Sequence, residues 1–339
     1  MRRTMFVLLA FLLVVGACSS GDESTTTTQA TIAGDTTTTT SLPPVLVDEA
    51  VWPLTGLPTD GVDATTAPVL IVKIDNTASS RPQTGLAGAD VVFDVLVEGG
   101  VSRFLAVYQS NVPDEIGPVR SAREVDPKIV EPFGALFSYS GGQDFVVTRV
   151  RSVATDVGFP RLGDAAYYRS ADRPAPYDVI LRTVDVLDTE SLGLPTALLF
   201  GDFPDGVGEP AAEITLSLSD LNDVGYVYAD GGYERSVGGE PHLDTAGVQI
   251  TATNVALVFV DQIPTGRTDS AGSPVPDYDV VGSGVAAVFR DGKVIEGTWQ
   301  RSTTADLFAF VDENGNQIPL APGTTWIEVV PNGRPAGWN

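Results

Sequence analysis

The stretch Ile116–Arg123, IGPVRSAR, sets two guanidinium groups three residues apart, Arg120 and Arg123, in a chain whose formal net charge is -24. They stand beside Ser121 and behind a Gly117-Pro118 turn. Arginine offers carboxylate or phosphate a planar fork of N–H donors, and open backbone N–H groups at a helix start attract the same anions. The chemistry on offer is oxyanion recognition. Arg81, in SSRPQTG, and Arg103, after EGGVS, stand at further element junctions, and the four arginines together form a candidate ligand-binding set. Structural ion pairs with Asp90, Asp94, Glu98 or Glu124 compete with that role, because exposed charges commonly pair without functional consequence. Convergence of the four side chains in space decides between the two.

Catalysis in the same region needs more. Asp75 and Glu98 are the residue types of an acid/base pair for sugar chemistry, and Ser121 is that of a nucleophile. A serine nucleophile requires a base within reach, and neither Lys73 nor His242, the only histidine, is tied to Ser121 by a recognised motif. The sequence has no GxSxG, HExxH, Walker loop or GxGxxG with a following acidic residue. One histidine and one cysteine argue against a zinc site, so no metal or cofactor is expected. His242, in GGEPHLD, reads as a turn residue held by hydrogen bonds.

A sheet must position these residues. PVLIVKID (68–75), DVVFDVLVEG (90–99) and RFLAVYQS (103–110) are β-branched runs bounded by turn residues, and LFSYSGG reads as strand then turn. SAREVDPKIVEPF predicts a short helix with two possible starts. Ser121 as N-cap would bring Arg123 into the first turn, whereas a start at Asp126 before Pro127 would leave both arginines in the lead-in loop. QDFVVTRVRSVA predicts a second helix. Seven further β-prone segments follow, from EITLSLS to TWIEVVP, with Asp291-Gly292 as a two-residue hairpin turn in FRDGKVIEGTW. The expected class is α+β, with a mixed-sheet α/β-type N-terminal domain over residues 49–210 and a smaller β-rich domain over 211–339. The Gly- and Pro-rich stretch GDFPDGVGEPAAE (201–213) supplies the boundary.

The N-terminus carries an address. Arg2 and Arg3 precede MFVLLAFLLVV, an apolar run shorter than the about 20 residues of a membrane-spanning helix, and VGAC ends at Cys18, the only cysteine. Residues 1–17 read as a signal peptide. Residues 18–48 are rich in Ser and Thr, carry acids without bases, and read as a disordered tether. Without the leader the charge is -26, which argues against nucleic-acid partners. Ten of the seventeen arginines lie between Arg81 and Arg182, so the first half holds most of the positive charge.

VGAC resembles the lipobox of bacterial lipoproteins, which implies lipid on Cys18 and a protein held on the extracytoplasmic face of the cell membrane. RPQTGLAGADVVFDVLVEGGVSRFLAVYQS with IGPVRSAR, and later VGSGVAAVFRDGKVIEGTWQR with PLAPGTTWIEVVP, resemble the two halves of the YerB-like lipoproteins. The resemblance spans most of residues 52–332 and implies paired domains of unknown function in the cell envelope. Where that family's Ala-Pro-His segment carries histidine, this chain has Tyr177. The expected function is binding of an anionic ligand or envelope partner without catalysis; the alternative is a hydrolase or transferase acting on wall glycan.

Overall fold

The computed structural model describes residues 42–191, 193–203, 207–269 and 272–339. Cys18, the leader and residues 18–41 of the tether lie outside them. The N-terminal half opens with β1 (Leu70–Asp75), then β2 (Val91–Leu96) and β3 (Ser102–Tyr108), each buried along its whole length. That is the burial expected of near-continuous apolar runs covered on both faces. Gly99 and Gly100 make the turn between β2 and β3 with φ of 72° and 73°, a region most side chains avoid. β3 pairs antiparallel with both β1 and β2, so β1 and β2 run the same way.

After β4 (Glu115–Ile116) the IGPVRSAR loop leads into α1 (Asp126–Val130), with Pro127 in its first turn. The helix therefore begins at Asp126; Ser121 is not its cap, and Arg120 and Arg123 stay in the lead-in loop. β5 (Leu136–Ser138) lies parallel to β1, and α2 (Asp144–Val153) begins shortly after Gly141 and Gly142. β6 (Thr155–Asp156), α3 (Phe159–Leu162), β7 (Tyr167–Arg169) and β8 (Val179–Arg182) complete this half.

The second half is nearly all strand. In chain order it contains β9 (Glu209–Pro210), β10 (Glu213–Ser219), β11 (Asn222–Ala229), β12 (Gly232–Val237), β13 (Glu240–Pro241), β14 (Thr251–Ala252) and β15 (Asn254–Val260). Then come β16 (Gln262–Thr268), β17 (Pro274–Tyr278), β18 (Gly282–Arg290), β19 (Lys293–Arg301), β20 (Ala309–Val311), β21 (Thr325–Pro331) and β22 (Ala336–Trp338). Asp291 and Gly292, with φ of 54° and 69°, turn β18 into β19 as the Asp-Gly pair predicts. β10 to β14 and β22 form a six-stranded sheet, and β16 with β17 forms a separate two-stranded arm.

One eleven-stranded mixed sheet crosses both halves, in the order β20-β19-β18-β15-β21-β2-β3-β1-β5-β6 with β9 beside β19. The join is the parallel pairing of β2 with β21. Aromatic contacts cross with it: Phe93 meets Phe308 at 6.2 Å between ring centres, and Phe104 meets Trp326 edge-on at 5.3 Å. β1, β2 and β5 all end on one edge of the sheet, where β3 begins. In sheets of this kind ligands bind outside the carboxyl ends of parallel strands.

Candidate functional site: an arginine cluster at the carboxyl ends of the strands

Asp75 closes β1 and faces Arg103 across the β1–β3 ladder. Alongside, the Asp75 N–H donates to Pro118 O at 3.0 Å and the Arg120 N–H to Lys73 O at 2.7 Å, so the Gly-Pro turn is stitched to the end of β1. This brings Arg120 Nε onto the Asp75 carboxylate, with the guanidinium 5.6 Å from the Tyr177 ring centre. Burial pushes the Asp75 carboxyl up, but hydrogen bonds from Thr77 and the charge of Arg120 outweigh it and hold the group below the usual range. Farther along the loop, Arg123 Nε meets the Glu98 carboxylate at 2.6 Å, just past the end of β2.

The other two arginines are different. Arg103 is only 6% exposed and, among the described residues, makes no ion pair; its Nη1 donates to Ser121 O at 2.8 Å, and its Nε has no hydrogen-bond partner among them. Burial, then the like charges of Arg123 and Arg120, lowers its pKa to about 10. Arg81 is half-buried and, among the described residues, makes neither hydrogen bond nor ion pair. Burial, then the charge of Arg235, lowers it, while Asp94 and Asp75 pull the other way. Beside it Arg173 donates to Ser80 O at 2.8 Å and to Pro82 O and, among the described residues, makes no ion pair.

Ion pairing thus accounts for Arg120 and Arg123 but not for Arg81 and Arg103, and the fields of Arg81, Arg103 and Arg120 all reach Asp75. Asp90 and Glu124 are taken up elsewhere, the first by the N–H groups of Gln109 and Ser110, the second by Arg267. Lys73, wholly buried in β1, pairs with Asp126 at 2.8 Å. Lys73 and the four arginines face Asp75, Glu98 and Asp126, and Asp94, already paired with Arg235, reaches Lys73 and Arg81 from the side, so five cations stand against four acids. In so acidic a chain that local surplus favours an incoming anion.

Next to the cluster is a polar cleft of about 250 Å³, lined by Glu98, Ser121, Arg123, Glu124 and Gln143 and, from the arm, by Asp269 and Val275. The arm is held against this half by Arg267, which pairs with Glu124 and lies 4.8 Å from the Phe145 ring centre, and by Asp277, 2.7 Å from Lys128 Nζ. The residues named for catalysis do not assemble into a working pair. The Asp75 and Glu98 side chains are 1% and 6% exposed and each is bound to an arginine. Among the described residues no hydrogen bond joins Ser121 Oγ to a base, and no group of metal-ligating side chains forms. Arg173 and Arg267 belong to the surroundings of the site yet carried no signal in sequence, since each gains its role from a contact with a distant segment, and Tyr177 stood out only as the residue in place of the family's histidine.

A family model described as "Protein of unknown function (DUF3048) N-terminal domain" matches residues 54–192, and its C-terminal counterpart matches residues 214–327. The chain belongs to this family. Its arginine cluster lies in the N-terminal DUF3048 segment and the arm in the C-terminal one. "Putative lipoprotein YerB" of Bacillus subtilis (strain 168) is 29% identical over 301 residues, 83% of this chain and 86% of that protein. The crystal structure of the YerB protein from Bacillus subtilis aligns with a TM-score of 0.75 at 26% identity, covering 85% of this chain and 99% of that one.

Proposed function

We propose that this chain is a lipid-anchored cell-envelope protein that binds an anionic ligand, or an acidic segment of an envelope partner, on Arg81, Arg103, Arg120 and Arg123. Arg103 carries the proposal: a guanidinium nine-tenths buried, with no ion pair among the described residues, whose neighbouring acids Asp75 and Glu98 are already bound to Arg120 and Arg123. A buried cation that shares its acids with other arginines is short of counter-charge, and a bound oxyanion would supply it. Arg81 adds a second unpaired fork at the same strand ends. The anchor rests on the VGAC sequence at Cys18 and on the name of the Bacillus subtilis relative. Among the described residues no helix is long and apolar enough to cross a membrane. Titrating the full chain with inorganic phosphate, sulfate and succinate by calorimetry tests the binding role. Saturable binding of at least one, lost in Arg120→Gln/Arg123→Gln while the circular dichroism is unchanged, is the expected outcome.

Glycan hydrolysis or transfer draws on the shared cleft of Glu98, Ser121 and Arg123. Incubation with peptidoglycan fragments separates this from binding alone: new products that Glu98→Gln abolishes would establish it.

A further inference from the structure

A second group of charges lies between the two larger sheets, next to the arginine site but with hydrogen bonds and ion pairs of its own. Asp94 on β2 and Glu328 on β21 are register partners on adjacent parallel strands, so both side chains leave the same face of the sheet with their backbones about 5 Å apart. Both are fully buried, as is the side chain of Arg235, which approaches from β12 of the six-stranded sheet. Arg235 Nη2 donates to Asp94 Oδ2 at 2.6 Å, and Nε lies 3.6 Å from Glu328 Oε1. That same Glu328 oxygen accepts the Tyr226 hydroxyl from β11 at 2.5 Å. The remaining oxygens, Asp94 Oδ1 and Glu328 Oε2, receive no hydrogen bond among the described residues.

The other neighbours fix which groups can change charge. Arg235 Nη1 lies 2.8 Å from His242 Nδ1; arginine only donates, so Nδ1 accepts and the Nε2–H donates to Gln83 Oε1 at 2.8 Å. Burial, then the charge of Arg235, keeps this imidazole neutral. Burial alone would lower the Arg235 guanidinium, but Tyr226, Glu328 and Asp94 more than offset it, so Arg235 stays charged. Ser102 and the Lys73 ammonium also face Asp94, and Arg81 lies farther out. Two ionised carboxylates beside one guanidinium would leave a net buried charge, which neighbouring acids avoid by holding a proton between them.

We infer that Asp94 and Glu328 share one proton between Asp94 Oδ1 and Glu328 Oε2, and that this pair, with Arg235 as counter-ion, fastens the six-stranded sheet to the main sheet in a pH-dependent way. Burial, then the charge of Asp94, raises the Glu328 carboxyl to about 8, and burial raises Asp94 as well. Because the folded chain binds this proton more tightly than the unfolded one, the stabilisation is complete below the ordinary carboxyl range. It is lost as pH rises through about 8.

Infrared spectra of the full chain from about pH 6 to about pH 10, with and without carboxyl-13C glutamate, test this directly. A protonated-carboxyl C=O band is expected near neutral pH; the glutamate label shifts it, which separates it from Asp90, another carboxyl raised by burial. The band fades above about pH 8 and is absent from Glu328→Gln. That variant keeps a donor facing Asp94 and has no proton to lose, so its urea midpoint should stay level over a range in which the wild-type midpoint falls. Equal pH slopes in the two proteins, or no glutamate-sensitive band near neutral pH, would overturn the inference. If Glu328→Gln does not fold, the labelled wild-type spectrum decides alone.

Discussion

Arg81 separates a structural role from a binding role more cleanly than any other residue of the cluster. It makes no hydrogen bond or ion pair among the described residues, so Arg81→Gln should leave stability within about 0.5 kcal/mol of wild type. The same change should weaken binding of whichever test anion saturates the site by about ten- to a hundred-fold, the worth of a charged hydrogen bond. Urea denaturation and calorimetry on one preparation read both; a loss of stability with unchanged affinity would assign Arg81 to the fold. Lys73 is the opposite case. Its ammonium and Asp126 are both fully buried, and removing one partner leaves the other charge uncompensated. Lys73→Met should cost about 3–5 kcal/mol in urea denaturation, with much of it recovered in Lys73→Met/Asp126→Leu; a cost below about 1 kcal/mol would contradict the pairing. At this scale the sequence was informative about where the arginines sit, at junctions in IGPVRSAR, EGGVS and SSRPQTG. It was silent on which of them lack carboxylates, because Asp75, Glu98 and the arginines meet only through the sheet.

Strands with uniform apolar runs were legible as elements, and the mixed α+β class followed from them. β12 was not. GYERSV reads as polar, yet Tyr233 and Arg235 are buried while Glu234 between them is exposed, so a charged residue occupies an inward position of an ordinary alternation. Glu328 was similarly legible only as an oddity, one acid inside TWIEVVP. The Asp291-Gly292 hairpin was fully written in the sequence, and Gly292 there is held twice over. Its φ is 69°, and a methyl group at its Cα would come within 2.9 Å of the Tyr228 ring. Gly292→Ala should therefore destabilise the protein by about 1–2 kcal/mol in thermal unfolding, and a neutral result would show that β18 and β19 can be joined another way.

The whole molecule is where sequence patterns end. Its two halves share one sheet because β2 pairs with β21, and nothing local encodes a partnership between strands so far apart in the chain. The address is the reverse case, readable only from sequence, since Cys18 lies outside the described residues. Cys18→Ala should abolish fatty-acid labelling while leaving the fold intact; equal label in wild type and variant would show that Cys18 is not the anchor. An acidic molecule that concentrates unpaired guanidinium groups at one edge of its sheet should also bind anions in a salt-sensitive way. The most direct measurement is calorimetric titration of inorganic phosphate, sulfate and succinate into wild type, Arg81→Gln and Arg120→Gln/Arg123→Gln at low and moderate salt. Saturable wild-type binding that weakens with salt, falls about ten- to a hundred-fold in Arg81→Gln and is lost in Arg120→Gln/Arg123→Gln is the expected result; no binding of any of the three, or affinity unchanged in both variants, would contradict the assignment of an anion site.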